Sequence, residues 1–310
     1  MSNRSIPNKV FADILLTKRP DLSPKTLYGY ADNLKLLYFK VFPTDTEIDI
    51  SKFLEKDIEF YTNFIVNENK SNSYIRNMLS ALKSLTNDGS LTPYITRASD
   101  ADKLNAENPI ASEYVNSHHL TPEMLETKFN ELSQEVEPLW KATELSMKDF
   151  QRVQSFVIYT LVCGKYIAPR RTTDWTKFKL RNINPDVDNY LDGTTFVFNT
   201  FKTAKKTGQQ RIECPKELYR ILRKWIRYNP NEMLFVNSNF DPLTPVSYGQ
   251  KLNQLFGSKP GTTNGMGSNC FRHIFLTNKY ASSLDLAEDM VKMGSSISNA
   301  KFYIKKITPK

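Results

Sequence analysis

Histidine is scarce in this chain: three residues in 310, and two of them, His118 and His119, are adjacent. No His-x-x-x-His pair exists, so a metal site held by two imidazoles on one helix face is excluded. The cysteines are as few: Cys163, Cys214 and Cys270 stand far apart, without metal-ligand spacing. A sparse, odd set argues against a disulfide framework and for a reducing compartment. No glycine-rich loop is followed by Lys and Ser or Thr, and the stretch from Gly261 to Gly267 has no phosphate-binding lysine in place. Asp285, Glu288 and Asp289 cluster, but on a short helical stretch that reads as a solvated face rather than a metal site. Uninterrupted apolar runs are missing too. The longest candidate, Phe156 to Ile167, carries Lys165 and is shorter than the roughly 18 residues a membrane span needs. Met1 to Leu15 lacks the apolar core of a signal peptide. The expectation is a soluble, intracellular protein, in the nucleus or cytoplasm of its host, not secreted, with no metal and no cofactor.

Acidic residues are also in deficit, 33 against 42 Lys and Arg, for a formal net charge of +9. An excess of cations suits a polyanionic partner, because neutralising phosphates releases condensed counterions.

The length predicts two domains. Leu27, Tyr30, Leu34, Leu37 and Val41 step by three and four, as one face of an amphipathic helix must. Leu54, Ile58, Tyr61 and Ile65 repeat the pattern, and so do Tyr74, Met78, Ala81 and Leu85. Ser23-Pro24 fits an N-cap followed by proline at the first helical position. From about Asn87 to His119 the periodicity fades around Gly89, Ser90, Pro93 and Pro109, which predicts a linker. Thr121-Pro122 opens another helix, and Phe150, Val153, Val157 and Leu161 mark an apolar one ending at Gly164. Phe178 to Ile183, Thr194 to Phe201 and Gln209 to Cys214 are short and rich in β-branched and aromatic residues, with Asp192-Gly193 and Thr207-Gly208 as turns. They predict a small antiparallel sheet with Lys202, Lys205 and Lys206 near a hairpin tip. Helices resume at Leu218 to Ile226, Val246 to Phe256, Asn269 to Tyr280 and Leu284 to Met293.

With metal and imidazole chemistry set aside, arginine, lysine and tyrosine remain. A tyrosine hydroxyl can attack a DNA phosphodiester and hold the strand as a phosphotyrosine, which conserves the bond for religation. The transition state concentrates negative charge on non-bridging oxygens. Planar, permanently charged guanidinium groups suit that charge, and a lysine can protonate the departing 5′ oxygen.

Three stretches carry this set in order. The first is GKYIAPRRTTDWTKFKL, residues 164 to 180, where Arg171, Asp174 and Trp175 fit Arg-x-x-Asp/Glu-Leu and Arg170 is the alternative register. The second is NCFRHIFLTNKY, residues 269 to 280, with Arg272-His273. The third is MGSSISNAKFYIKK, residues 293 to 306, with Gly294 and Tyr303. Between the first two lies FKTAKKTGQQRIECP. This ordered set resembles the three boxes of the tyrosine recombinase (phage-type integrase) family. The helical first hundred residues are similar to that family's core-binding domain, notably TLYGY from Thr26 and YIRNMLSAL from Tyr74.

The resemblance implies a mainly α fold with a small antiparallel β-sheet, arranged as a two-domain C-shaped DNA clamp. Its parts would be a helical core-binding domain, residues 1–112 with the linker from about 87, and a catalytic domain, residues 113–310. It implies Tyr303 as nucleophile, Arg171 and Arg272 as phosphate clamps and Lys202 as general acid. Asp174 would fix the turn and orient the arginine, and His273 would be packed and supporting. Lys205, Lys206, Arg76 and Lys83 would touch DNA backbone, with Arg211, Arg220, Arg223, Lys224 and Arg227 as further candidates. Two positions depart from the pattern: Asn269 stands where the family has His or Lys, and Ser295 where it has His or Trp. An amide or hydroxyl can hydrogen-bond phosphate but cannot exchange a proton near neutral pH. The implied partner is double-stranded DNA, the assembly four protomers on two DNA sites, and the reaction integration or excision of a viral or mobile genome. A type IB topoisomerase, a DNA-binding relative weakened at Asn269 and Ser295, and a protein with no DNA role are the alternatives.

Overall fold

The computed structural model describes residues 8–107, 118–257, 266–279, 289–290 and 292–295. The chain divides into two compact units, Met1–Asn108 and Pro109–Lys310. The predicted boundary near residue 112 falls among residues outside that description.

The first unit is helical: α1 Lys9–Lys18, α2 Pro24–Val41, α3 Ile50–Leu54, α4 Ile58–Val66, α5 Asn72–Thr86 and α6 Thr92–Glu107. Polar caps set the starts. The side chains of Ser23, Asp49, Asp57 and Ser71 accept from the backbone N–H of Thr26, Lys52, Phe60 and Tyr74. Phe11, Leu15, Leu34, Tyr38, Phe53, Tyr61, Leu79 and Leu82 meet in one core. Two expectations need correction. The stretch from Leu54 to Ile65 is not one helix, because Asp57 caps a new start and leaves Leu54 49% exposed. Nor is the segment after Asn87 a linker throughout. Asn87 ends α5 in the left-handed region (φ 58°), a 3₁₀ turn follows at Gly89–Leu91, and α6 packs back along α5. Pro93 sits in the first turn of α6, where its missing N–H costs no helical bond, so it starts a helix instead of breaking one.

In the second unit α7 (Pro122–Val136) and α8 (Met147–Val162) come first. Helix α8 buries Phe150, Val153, Phe156, Val157, Ile158, Tyr159, Leu161 and Val162 and exposes Lys148 and Arg152 in its first two turns. The one-turn α9 (Thr172–Trp175) leads into the sheet: β1 Phe178–Lys179, β2 Asn189–Asp192, β3 Thr195–Phe198 and β4 Gln210–Glu213, in that spatial order. Strand β1 runs parallel to β2, and the other pairs are antiparallel. The sheet is therefore mixed, not antiparallel as predicted, and β2 carries no sequence signal because Asn and Asp bracket its two apolar residues. Strands β3 and β4 are not joined by a simple hairpin tip. A helical turn, α10 (Ala204–Thr207), lies between them, and Lys202 follows the end of β3 by four residues. Helices α11 (Lys216–Tyr228), α12 (Pro245–Leu255) and α13 (Ser268–Lys279) complete the described unit. Leu218, Leu222 and Trp225 turn α11 onto the core around α8. The predicted helix from Leu284 lies largely outside the described residues.

Candidate active site

Gly164 ends the run after α8 at φ +81°, and Phe275 of α13 lies over it so closely that a Cβ there would sit 2.6 Å from the Phe275 ring. From this turn the chain passes through Ala168 and Pro169 to Arg170 and Arg171. Trp175, at the end of α9, anchors the next stretch. It is fully buried, with its ring against Phe178, Phe196 and Phe198 at centroid distances of 5.6, 5.5 and 5.3 Å. Packing of this kind fixes the one-turn α9, and with it the directions of the two arginines just before it.

The arginines have different surroundings. Arg170 is buried, and its Nε donates to Asp174 Oδ2 at 3.0 Å; Nη2 stands 3.0 Å from the same oxygen as an ion-pair contact without a hydrogen bond among the described residues. Its Nη1 donates to Gln210 Oε1 at 2.8 Å and to the Lys292 carbonyl at 2.5 Å. Its guanidinium carbon lies 3.8 Å from the centroid of the Phe198 ring. Burial pushes the Arg170 guanidinium down to about 10, against the attraction of Asp174. It pushes the buried Asp174 carboxyl up, against Arg170, Arg171 and Arg272. Arg171 is half-buried, and its Nη1 donates to the Gly294 carbonyl at 2.5 Å. The expectation that Asp174 orients Arg171 is thus corrected: the ion pair of Asp174 is with Arg170, four residues back across one helical turn.

Arg272, on α13, is buried close enough for its charge to bear on Arg170 and Asp174. The hydroxyls of Thr172 and Ser268 share a hydrogen bond of 2.5 Å, tying the starts of α9 and α13 together. Residues 292–295 close the cluster. Gly294 (φ +65°) packs so tightly that a Cβ would meet Arg170 Nη2 at 3.1 Å and Arg171 Nη1 at 3.5 Å. Ser295 is buried, its N–H donates to the Met290 carbonyl at 2.8 Å, and its Oγ has no hydrogen-bond partner among the described residues.

Arg170, Arg171, Asp174, Arg272 and the Gly294–Ser295 turn are therefore brought together from three separate stretches of sequence. Asn269 is exposed on the first turn of α13, and His273 is half-buried. Lys202, Lys205 and Lys206 are exposed, but Thr203, next to Lys202, donates to the Gly294 carbonyl at 3.1 Å and places that connection beside the cluster. Tyr303 lies outside the described residues. In the first unit Arg76 pairs with Asp102 at 3.2 Å and Lys83 donates to Thr92 Oγ1 at 2.7 Å. The reading of Asp289 as solvated is corrected: it is buried and paired with Lys279 at 2.5 Å, while Asp285 and Glu288 lie outside the described residues.

Sequence reasoning missed three residues that shape the site: Asn189, Thr203 and Gln210. Asn189 is a buried hub. Its Nδ2 donates to the Asp174 and Thr200 carbonyls, and its Oδ1 accepts from the N–H of Asn199 and Thr200. It binds the arginine turn to the segment leading to Lys202. An isolated Asn, Thr or Gln carries no periodic or motif signal.

Solved structures align with nearly the whole chain. The XerH site-specific recombinase bound to palindromic difH substrate is 16% identical, with 98% of this chain and 82% of that chain covered and a TM-score of 0.58. The Tn1549 transposon integrase in complex with circular intermediate DNA is 15% identical, covering 98% and 97%, with a TM-score of 0.55. The chain has the tyrosine recombinase fold. A lambda integrase tetramer bound to a Holliday junction adds to the set, at 12% identity, 97% and 77% coverage and a TM-score of 0.55. No family model matches the sequence, and no curated protein is similar to it. At such identities the recombinase likeness is one of fold. No described helix is long and apolar enough to cross a membrane, and all three cysteines are free.

Proposed function

We propose that this protein cleaves and rejoins duplex DNA through a 3′-phosphotyrosine intermediate. One observation carries the reading: stretches from separate boxes meet at one place, with Arg171 hydrogen-bonded to the Gly294 carbonyl and the helix that bears the buried Arg272 tied to the start of α9 through Thr172 and Ser268. In the reaction the Tyr303 hydroxyl gives up its proton to solvent as its oxygen attacks the scissile phosphorus, an O–P bond forms, and the bond to the 5′ oxygen breaks. Lys202 supplies the proton that oxygen takes. Arg171 and Arg272 hold the non-bridging oxygens as charge develops there. The 5′ hydroxyl of the same or another strand reverses the step. Arg171 suits the clamp role because it is half-buried and its present acceptor is a backbone carbonyl, which a phosphate can displace.

The biological role we propose is integration or excision of a viral or mobile genome by four protomers on two DNA sites. The likeness to integrase and recombinase folds supports it, including the lambda integrase tetramer on a Holliday junction.

Covalent capture tests the chemistry. Protein and its Tyr303→Phe variant are incubated with labelled nicked duplexes from the ends of the source element, in EDTA, and denatured. The expected result is a protein–DNA band that vanishes in the variant. A band that persists transfers the nucleophile to another tyrosine, with Tyr280 first in line. No band, with salt-sensitive binding retained, makes the chain a DNA-binding relative disabled at Asn269 and Ser295.

A further inference from the structure

The geometry points to Arg170 as a positioning residue that seats residues 292–295 against Arg171, and so sets the orientation of that proposed clamp. The inference rests on the assignment of Tyr303 as nucleophile.

An arginine that served only to neutralise Asp174 would need one edge of its guanidinium. Arg170 uses more. One edge meets Asp174, and Nη1 reaches two acceptors outside its own turn, Gln210 Oε1 on β4 and the Lys292 carbonyl. Phe198 covers the flat face at 3.8 Å and Phe201 stands further off at 5.2 Å. Held by these contacts and with no exposed surface, Arg170 is not available to a phosphate. The neighbouring arginine holds the next-but-one carbonyl, so Lys292 O and Gly294 O are gripped by Arg170 and Arg171 respectively.

The two grips differ in what DNA does to them. A phosphate bound by Arg171 competes with the Gly294 carbonyl for the same Nη1. Arg170, enclosed, keeps Lys292 in place while that exchange happens. The register of this turn sets where Arg171 Nη1 is held, because Gly294 supplies its acceptor. Misplacement of a catalytic group by about 1 Å lowers rate by roughly 10²-fold.

The test uses Arg170→Lys in the full chain. Lysine keeps the charge beside Asp174 but lacks the planar fork needed to reach Gln210 and Lys292 at once. Three quantities are read: the rate of Tyr303 adduct formation at saturating nicked duplex, the duplex affinity, and amide hydrogen exchange along the chain. The expected result is adduct formation slowed roughly 10- to 100-fold, with affinity within about twofold of wild type. Exchange should rise in the peptide containing Met293 to Ser295 and stay unchanged in α8. An adduct rate equal to wild type overturns the inference. So does a loss of affinity matching the loss of rate, which would make Arg170 a phosphate contact. Exchange raised throughout the domain would make it a general stabiliser and overturn the inference as well. Gln210→Met, which removes one acceptor and leaves the Asp174 pair intact, is read on the same three measurements should Arg170→Lys not fold. Failure of the underlying assignment is separate, because it shows as absence of the Tyr303 adduct in the wild-type protein itself.

Discussion

Arg171 Nη1 lies 2.5 Å from the carbonyl oxygen of Gly294, 123 residues further along the chain. The acceptor of the proposed phosphate clamp is thus the turn that precedes the proposed nucleophile in sequence. Substitutions on either side of this hydrogen bond have distinct expected outcomes.

Arg171→Lys and Arg272→Ala are each expected to lower Tyr303 adduct formation by about 10²- to 10³-fold, the usual effect of removing one preorganised donor to a charged transition state. Lysine should not rescue position 171, since a point charge cannot span two phosphate oxygens. Single-turnover rates on nicked duplex measure the loss. Near-wild-type rates in either variant would remove that residue from the clamp.

Gly294→Ala should destabilise the domain by about 1 kcal/mol and slow the adduct step further. The residue stands at φ +65°, where an L side chain is strained, and its Cβ would press on Arg170 Nη2 at 3.1 Å. Thermal melting and adduct rate give the two halves of the prediction.

Asp174→Asn removes the carboxylate from a buried pair and leaves the Arg170 charge uncompensated, with Arg171 and Arg272 nearby. Breaking one side of a buried pair costs about 3–5 kcal/mol. Urea denaturation should show a lowered midpoint of that size. A change below about 1 kcal/mol would mean that the pair is solvated.

Burial pushes the Cys163 thiol up to about 11 and the Cys214 thiol up to about 12, from 9.0. These groups stay protonated in the fold at a pH where the unfolded chain has lost their protons. Their effect on stability is therefore constant below pH 9, and stability falls as pH rises from 9 through the folded values. The slope approaches about 1.4 kcal/mol per pH unit for each thiol. Urea midpoints between pH 8 and 11 should fall less steeply in Cys163→Ala than in wild type.

Lys205 and Lys206 are exposed on α10, Lys202 just ahead of them. Lys205→Ala and Lys206→Ala should each weaken binding across all sequences and reduce the logarithmic salt slope by about 1. Lys202→Ala should instead slow cleavage and leave that slope nearly unchanged. The reverse pattern would move the general acid to α10.

Much of this was legible along the chain. Leu27, Leu34 and Leu37 lie on the buried face that their spacing predicted, and Phe150, Val153, Val157 and Leu161 form the inward side of α8. Periodicity and caps are local properties, written in neighbouring residues and readable there. The boxes around Arg171 and Arg272 were legible for the same reason, as short patterns of residue type. What failed locally was contextual. Pro93 begins α6 because Leu91 and Ala98 find α5 and its neighbours to pack against. The two apolar residues of β2 become a strand only between β1 and β3.

The same division runs through the site. Residue order alone establishes that two arginines, a lysine and a tyrosine occur in a set order within a basic chain short of histidine. Folding decides that Asp174 pairs with Arg170, that Arg171 holds Gly294, and that Gln210 and Asn189 brace the cluster. Adjacent arginines are alike in charge and reach. Packing against Phe198 and β4 encloses one of them and leaves its neighbour half-exposed with a backbone carbonyl as its acceptor, a difference that side-chain chemistry alone does not make.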